Sequence, residues 1–187
     1  MRCYMAGRNT KTIAMIIAPE NYREQEFEIP YNFFTRNGAR VDVFSTRKGM
    51  ARGASGGSFD VKNSLNELKV ENYDAIVFIG GPGTPILRRD ENAAEIAMKA
   101  YSSGKVVAGI CWSVTILAKA GILEGKKATV WFGTDPEYGM TTAQFIEKQG
   151  GRYEKKGLVV DGRIITADGP ANAEGYAKAV WNAIDNQ

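Results

Sequence analysis

Lys105-Val-Val-Ala-Gly-Ile110-Cys111-Trp112 decides how this chain is read. The run from Lys105 to Ile110 is short, continuous and apolar, the pattern of a strand buried on both faces. With no turn residue between, it passes into Trp112 to Ala120, whose apolar spacing predicts a helix ended by Gly121. The corner residue, Cys111, therefore falls at the carboxyl end of a strand, where open α/β sheets bind their ligands.

The same pattern repeats outward from this corner. Thr12 to Ala18 and Tyr73 to Ile79 are further apolar runs that predict buried strands, and Arg40 to Ser45 alternates as another. Helical spacing is found over 24–37, 91–103, 141–149 and 171–183, with a strand expected over 163–167. Gly38 and Gly104 are placed to end the first two helices, and Pro30 is expected to mark a bend or a late start in the first. Met50 to Lys62, rich in Gly and Ser, reads as a hairpin or loop excursion. Strands separated by helices predict an α/β fold, a mostly parallel sheet with helices on both faces. A short loose tail over 1–11 and one domain over 12–187 complete the expected organisation, with no repeat or linker.

Composition narrows the chemistry. The chain has 187 residues, 44% hydrophobic and 24% charged, with a net charge of +3 spread along its length. That is the balance of a globular protein, and it does not favour nucleic acid or an anionic membrane as partner. No apolar run is long enough to span a bilayer, and Met1 to Thr10 lacks the apolar stretch of a signal peptide, so a cytoplasmic protein is expected. Two cysteines, Cys3 and Cys111, are too few for a disulfide framework, and Cys3 sits in the tail with no motif around it. The most informative fact is that there is no histidine. Ser-His-Asp and Cys-His arrangements are excluded, as are histidine zinc sites, and two distant cysteines cannot build a thiolate cage. The sequence calls for no metal and no cofactor.

Three features fall at strand ends. Cys111 on a strained strand-to-helix corner would have helix amides beneath it, which favour a thiolate and lower its pKa. The alternative is an inert buried cysteine. Gly80-Gly-Pro-Gly-Thr84 follows a buried strand, and backbone N–H groups of Gly80 or Gly81 with that of Trp112 would form an oxyanion hole. The alternative is a tight turn; the glycine spacing does not match a dinucleotide fingerprint. Glu26, near the start of the first helix, would sit over the sheet end, where repulsion and desolvation would keep its carboxyl protonated beside a thiolate. On position alone Glu24 and Glu28 are its equals.

Together these residues resemble the ThiJ/PfpI superfamily, with its class I glutamine amidotransferase-like fold and its archaeal PfpI-type and protein deglycase-like members. The resemblance runs from about Thr12 to Ile184. It is carried by Asn21 to Pro30, by Ile79-Gly-Gly-Pro-Gly83, by Ala108-Gly-Ile-Cys111 with Leu117 to Thr129 after it, and by Asp161 to Pro170. It implies a flavodoxin-like three-layer sandwich, assembled as a homodimer or a larger homo-oligomer. It also selects Glu26 over its neighbours as partner of a catalytic Cys111, and supports Gly80, Gly81 and Trp112 as backbone donors. The chain departs from the family at one point. Protease-type members carry histidine where this sequence has Trp112, and deglycase-type members bring one from a later loop. The equivalent loop here, Trp131 to Met140, offers Asp135, Glu137 and Tyr138, none an obvious substitute.

The expected activity is that of a cysteine-dependent enzyme acting on small reactive carbonyl compounds or their adducts, glyoxalase- or deglycase-like, through a Cys111–Glu26 dyad. A non-catalytic, redox-responsive or stress-protective protein with an oxidisable cysteine is the second reading. Peptidase or amide hydrolase chemistry is the third, and it is disfavoured because a poor amine leaving group needs a proton that no histidine can deliver.

Overall fold

The computed structural model describes residues 10–186; Cys3 and the rest of the expected tail over 1–9 lie outside the described residues. The chain runs β1 (Thr12–Ile16), β2 (Glu20–Tyr22), α1 (Glu24–Arg36), β3 (Arg40–Ser45), then a hairpin of β4 (Gly49–Gly53) and β5 (Ser58–Val61). There follow β6 (Asn63–Ser64), β7 (Ala75–Phe78), α2 (Thr84–Arg89), α3 (Glu91–Ser102), β8 (Val106–Ile110) and α4 (Val114–Lys119). Short strands β9 (Lys127–Ala128), β10 (Thr134–Asp135) and β11 (Met140–Thr141) lead to α5 (Thr142–Lys148). Then come β12 (Arg152–Tyr153), β13 (Leu158–Asp161), β14 (Ile164–Ala167) and α6 (Ala173–Asp185).

Seven strands form the central sheet in the order β13-β14-β8-β7-β1-β3-β6. Every pairing in it is parallel except that of β13 with β14. Helices α1 and α6 pack together, as do α3 and α4, giving the α/β three-layer sandwich. The apolar runs read as buried strands are sealed: β7 and β8 have no exposed residue, and Ile13 to Ile16 are fully covered. Each buries both faces because helices lie above and below the sheet.

The strand order reverses between β1 and β7, so the loops leaving them diverge and open a crevice at their carboxyl ends. The chain after β1 delivers Glu26, the loop after β7 is Gly80 to Gly83, and β8 ends in Cys111. All three sequence features meet at this one place.

Several expectations are corrected. Helix α1 runs unbroken through Pro30 from its first residue, Glu24, and Pro30 is buried on its inner face. A separate helix, α2, begins at Thr84 with Pro85 in its first turn, a position where the missing N–H costs nothing. Residues 111–113 form a 3-10 turn before α4. Lys11, placed in the loose tail, stacks over the Trp181 ring at 3.8 Å and pairs with Asp185 at 2.6 Å. The hairpin over 49–61 is present and joins β2 in a three-stranded sheet of its own.

Packing requires the glycines at 80, 81 and 83. Arg23 N–H donates to the Gly80 carbonyl at 2.9 Å, and Gly83 N–H donates to that of Asn21 at 3.0 Å. The two segments lie backbone against backbone. A Cβ on Gly83 would sit 1.9 Å from the Glu20 carbonyl oxygen, and one on Gly81, which has φ +114°, would sit 2.5 Å from Arg23 N. Gly83→Ala should therefore lower stability by roughly 3 kcal/mol or more. Gly139→Ala, at φ +62° with open space around it, should cost only about 1 kcal/mol. Urea denaturation of the two variants tests this, and equal losses would show that the close approach does not matter.

Candidate active site

Cys111 is held at φ +61°, in the left-handed region that non-glycine residues avoid. Holding it there costs about 1–2 kcal/mol, offset by what lies beneath. The Ser113 hydroxyl accepts the Ile110 N–H at 3.0 Å and sits 3.1 Å from the Phe78 carbonyl, clamping the turn to β7. The buried Tyr176 hydroxyl donates to that same carbonyl at 3.2 Å. Cys111 is 8% exposed, and the backbone N–H groups of Trp112 and Gly81 are directed at its sulfur.

Glu26 is 0% exposed. Its Oε2 accepts the Gly80 N–H at 3.0 Å, while Oε1 is buried without a hydrogen-bond partner. Among side chains, the Cys111 thiol acts on it most strongly. Burial pushes the Glu26 carboxyl up to about 7, against the pull of Cys111, Gly80 and Arg23. The thiol is also raised, by burial first and then by the Glu26 charge, with the Trp112 and Gly81 amides opposing. The sequence expectation of a lowered cysteine pKa is thus corrected. Amides do reach the sulfur, but dehydration and a neighbouring acid outweigh them. Cys111 and Glu26 form one coupled unit that gives up a first proton near neutrality and holds the second firmly.

The three glutamates of α1 now separate. Glu24 turns to the β4–β5 hairpin and accepts the N–H groups of Ser55 at 2.7 Å and Gly57 at 3.1 Å, while Glu28 is exposed. The backbone donors separate as well. The Gly80 N–H, expected in an oxyanion hole, is taken by Glu26 and so fixes the carboxyl. Gly81 and Trp112 are the donors that face the sulfur.

A second polar cluster lies beside the elbow, and sequence reasoning missed its centre. Arg88 on α2 is 1% exposed and pairs with both oxygens of Asp135, which is 0% exposed, and with Glu137. Asp135 also accepts the Trp112 indole N–H at 2.9 Å. Burial raises the Asp135 carboxyl, but hydrogen bonds from Arg88 and Trp112 prevail and hold it below the usual range. A partly buried indole N–H needs an acceptor, the one signal that could have led from Trp112 to Asp135. Trp131 packs on Trp112 at 5.5 Å, and its backbone N–H donates to the Cys111 carbonyl at 3.3 Å. Beyond it a cavity of about 370 Å³ lies between Trp131, Phe132, Tyr153 and Lys155. No cluster of three or more His, Cys, Asp or Glu that could hold a metal is present among the described residues. No helix among them is long and apolar enough to cross a membrane.

The DJ-1/PfpI family model matches residues 11–183. An uncharacterised protein of Methanocaldococcus jannaschii is 38% identical over 179 residues, 95% of this chain and 84% of that protein. Deglycase PfpI of Pyrococcus furiosus is 29% identical over 158 residues, 84% of this chain and 90% of its own. Among solved structures, a ThiJ/PfpI domain protein from Brachyspira murdochii superposes with a TM-score of 0.86 at 28% identity, covering 95% of this chain and 98% of that one.

The raised Glu26 carboxyl makes stability depend on pH. From an ordinary value of 4.5 to about 7, the folded state holds a proton that the unfolded chain releases, so this contribution is full below about pH 4.5 and lost as pH rises through 7. The loss is about 3 kcal/mol. Urea titrations at pH 4.5 and 8 should show the wild type weakening relative to Glu26→Gln by that order, and parallel curves would refute a raised Glu26.

Proposed function

The chain belongs to the DJ-1/PfpI family, and from that premise we propose that it is a cysteine-dependent enzyme acting on 2-oxoaldehydes or their adducts with amines. The observation that carries this is a buried carboxyl, raised to about 7 by dehydration, beside a nucleophile-elbow cysteine in a chain with no histidine. Such a carboxyl can give and take a proton at neutral pH, as shuttling between adjacent carbons requires. The name of the deglycase relative supports the same class of substrate.

In this reading the pair holds one proton, which passes from the thiol to Glu26 as the Cys111 sulfur adds to the aldehyde carbon. The new C–S bond converts C=O to a hemithioacetal, and the Glu26 proton goes to its oxygen. The N–H groups of Gly81 and Trp112, already turned to the sulfur, stabilise that oxygen as negative charge develops. Glu26, now a carboxylate held through Oε2 by Gly80, removes the proton from the first carbon and returns it to the second, while the hydroxyl proton of the first carbon passes to the oxygen of the second. The resulting thioester is hydrolysed by water, which releases a 2-hydroxy acid and restores the thiol. With the free aldehyde, no step calls for a strong acid at a departing amine. The Trp112 indole, a donor only, does not accept a proton as an imidazole would.

Turnover of methylglyoxal by purified protein tests this reading. Cys111→Ala should abolish it, and Glu26→Gln should lower kcat/KM about 10²- to 10³-fold with the fold intact. Cys3→Ser should leave it unchanged. Full turnover by Cys111→Ala would sink the proposal.

A further inference from the structure

Arg88 would be neutralised by Glu137 and Asp135 wherever these carboxylates sat around it, yet Asp135 does a second thing. The same oxygen, Oδ2, that pairs with Arg88 takes the indole N–H of Trp112, the residue next to Cys111. Every member is fixed from a different element. Arg88 comes from α2, just after the glycine loop. Its guanidinium donates to Thr115 of α4 at 3.0 Å and lies 4.4 Å from the Tyr138 ring centre, and its carbonyl accepts Lys119 Nζ at 2.6 Å. Thr115 in turn donates its hydroxyl to the Trp112 carbonyl at 2.8 Å. Residue 112 is thus gripped at its side chain and at its carbonyl, while its N–H faces the sulfur.

We infer that Asp135 is a positioning residue for the elbow: by holding the Trp112 indole, it fixes the peptide plane whose N–H supports the Cys111 sulfur. An ion cluster that served only to bury Arg88 would not need the indole. Here one link from α2 to the turn at 111–113 runs through the indole, beside the one through Thr115 to the Trp112 carbonyl. Asp135 is fully buried, and its carboxylate is held by Arg88, the Trp112 indole and the Glu137 N–H rather than by the sulfur. The inference rests on Cys111 being the reactive group, but not on any carbonyl substrate.

The test follows alkylation of Cys111 by iodoacetamide against pH, in a Cys3→Ser background so that a single thiol reports. Trp112→Phe keeps the ring and removes only the N–H. It should leave the melting temperature nearly unchanged while moving the alkylation profile up by about half a pH unit or more, slowing the reaction at pH 7 about threefold. Asp135→Asn, which keeps an acceptor, should move it less than Asp135→Ala. In the Trp112→Phe background Asp135→Asn should add nothing, because one pathway is already cut. If the Asp135 variants fail to fold, Trp112→Phe alone decides. An unshifted Trp112→Phe profile overturns the inference, as does an Asp135→Asn shift of equal size with and without the indole N–H. Alkylation needs no turnover, so a failed substrate assignment would leave this result standing.

Discussion

Two stretches of backbone, Glu20 to Arg23 and Gly80 to Gly83, lie in direct hydrogen-bond contact, and the rest of the site depends on that approach. It is possible only where side chains are absent, since a Cβ at 80, 81 or 83 would enter space already held by main chain, by Cys111 or by Glu26. The contact joins the ends of the two strands between which the sheet order reverses. It also sets the start of α1 over the crevice, so that Glu26 enters beneath the elbow from one side as Gly80 meets it from the other. Close approach, not phosphate binding, is what these glycines permit.

With that geometry fixed, the chemistry follows from what surrounds the sulfur. Two acids share a site largely closed to water: burial raises both, the Glu26 charge raises the thiol further, and the hydrogen bond with the thiol draws the carboxyl back down. The amides divide between them, Gly80 to the carboxyl, Gly81 and Trp112 to the thiol. A histidine beside the cysteine would act as a base of its own. A tryptophan side chain there gives only a donor, and its indole N–H goes to Asp135. In the proposed reaction, proton movement falls to Glu26.

Much of this was legible in the sequence because buried parallel strands are written as continuous apolar runs. Thr12 to Ile16, Ala75 to Phe78 and Val106 to Ile110 each stand out in that way. The corner at Cys111 was legible because no turn residue separates its strand from its helix. Glu26 was not separable from Glu24 by position: both are buried acids in one helical turn, and only the tertiary placement of the hairpin decides which faces the thiol. Short strands such as β9 to β12 have no periodicity to read. Arg88 stands beside Arg89 in the sequence with nothing to mark it for burial. Its burial depends on Asp135, forty-seven residues away, and distance along the chain hides such a pairing. Pro30 misled because a proline rule for isolated helices gave way to packing of the helix face it joins.

The missing histidine has a consequence beyond the elbow. Proteins ordinarily buffer near neutrality through imidazoles, and this one has none. The Glu26 carboxyl, titrating at about 7, fills part of that gap from inside the crevice. Small changes in acidity near neutrality are therefore registered at the Cys111–Glu26 pair.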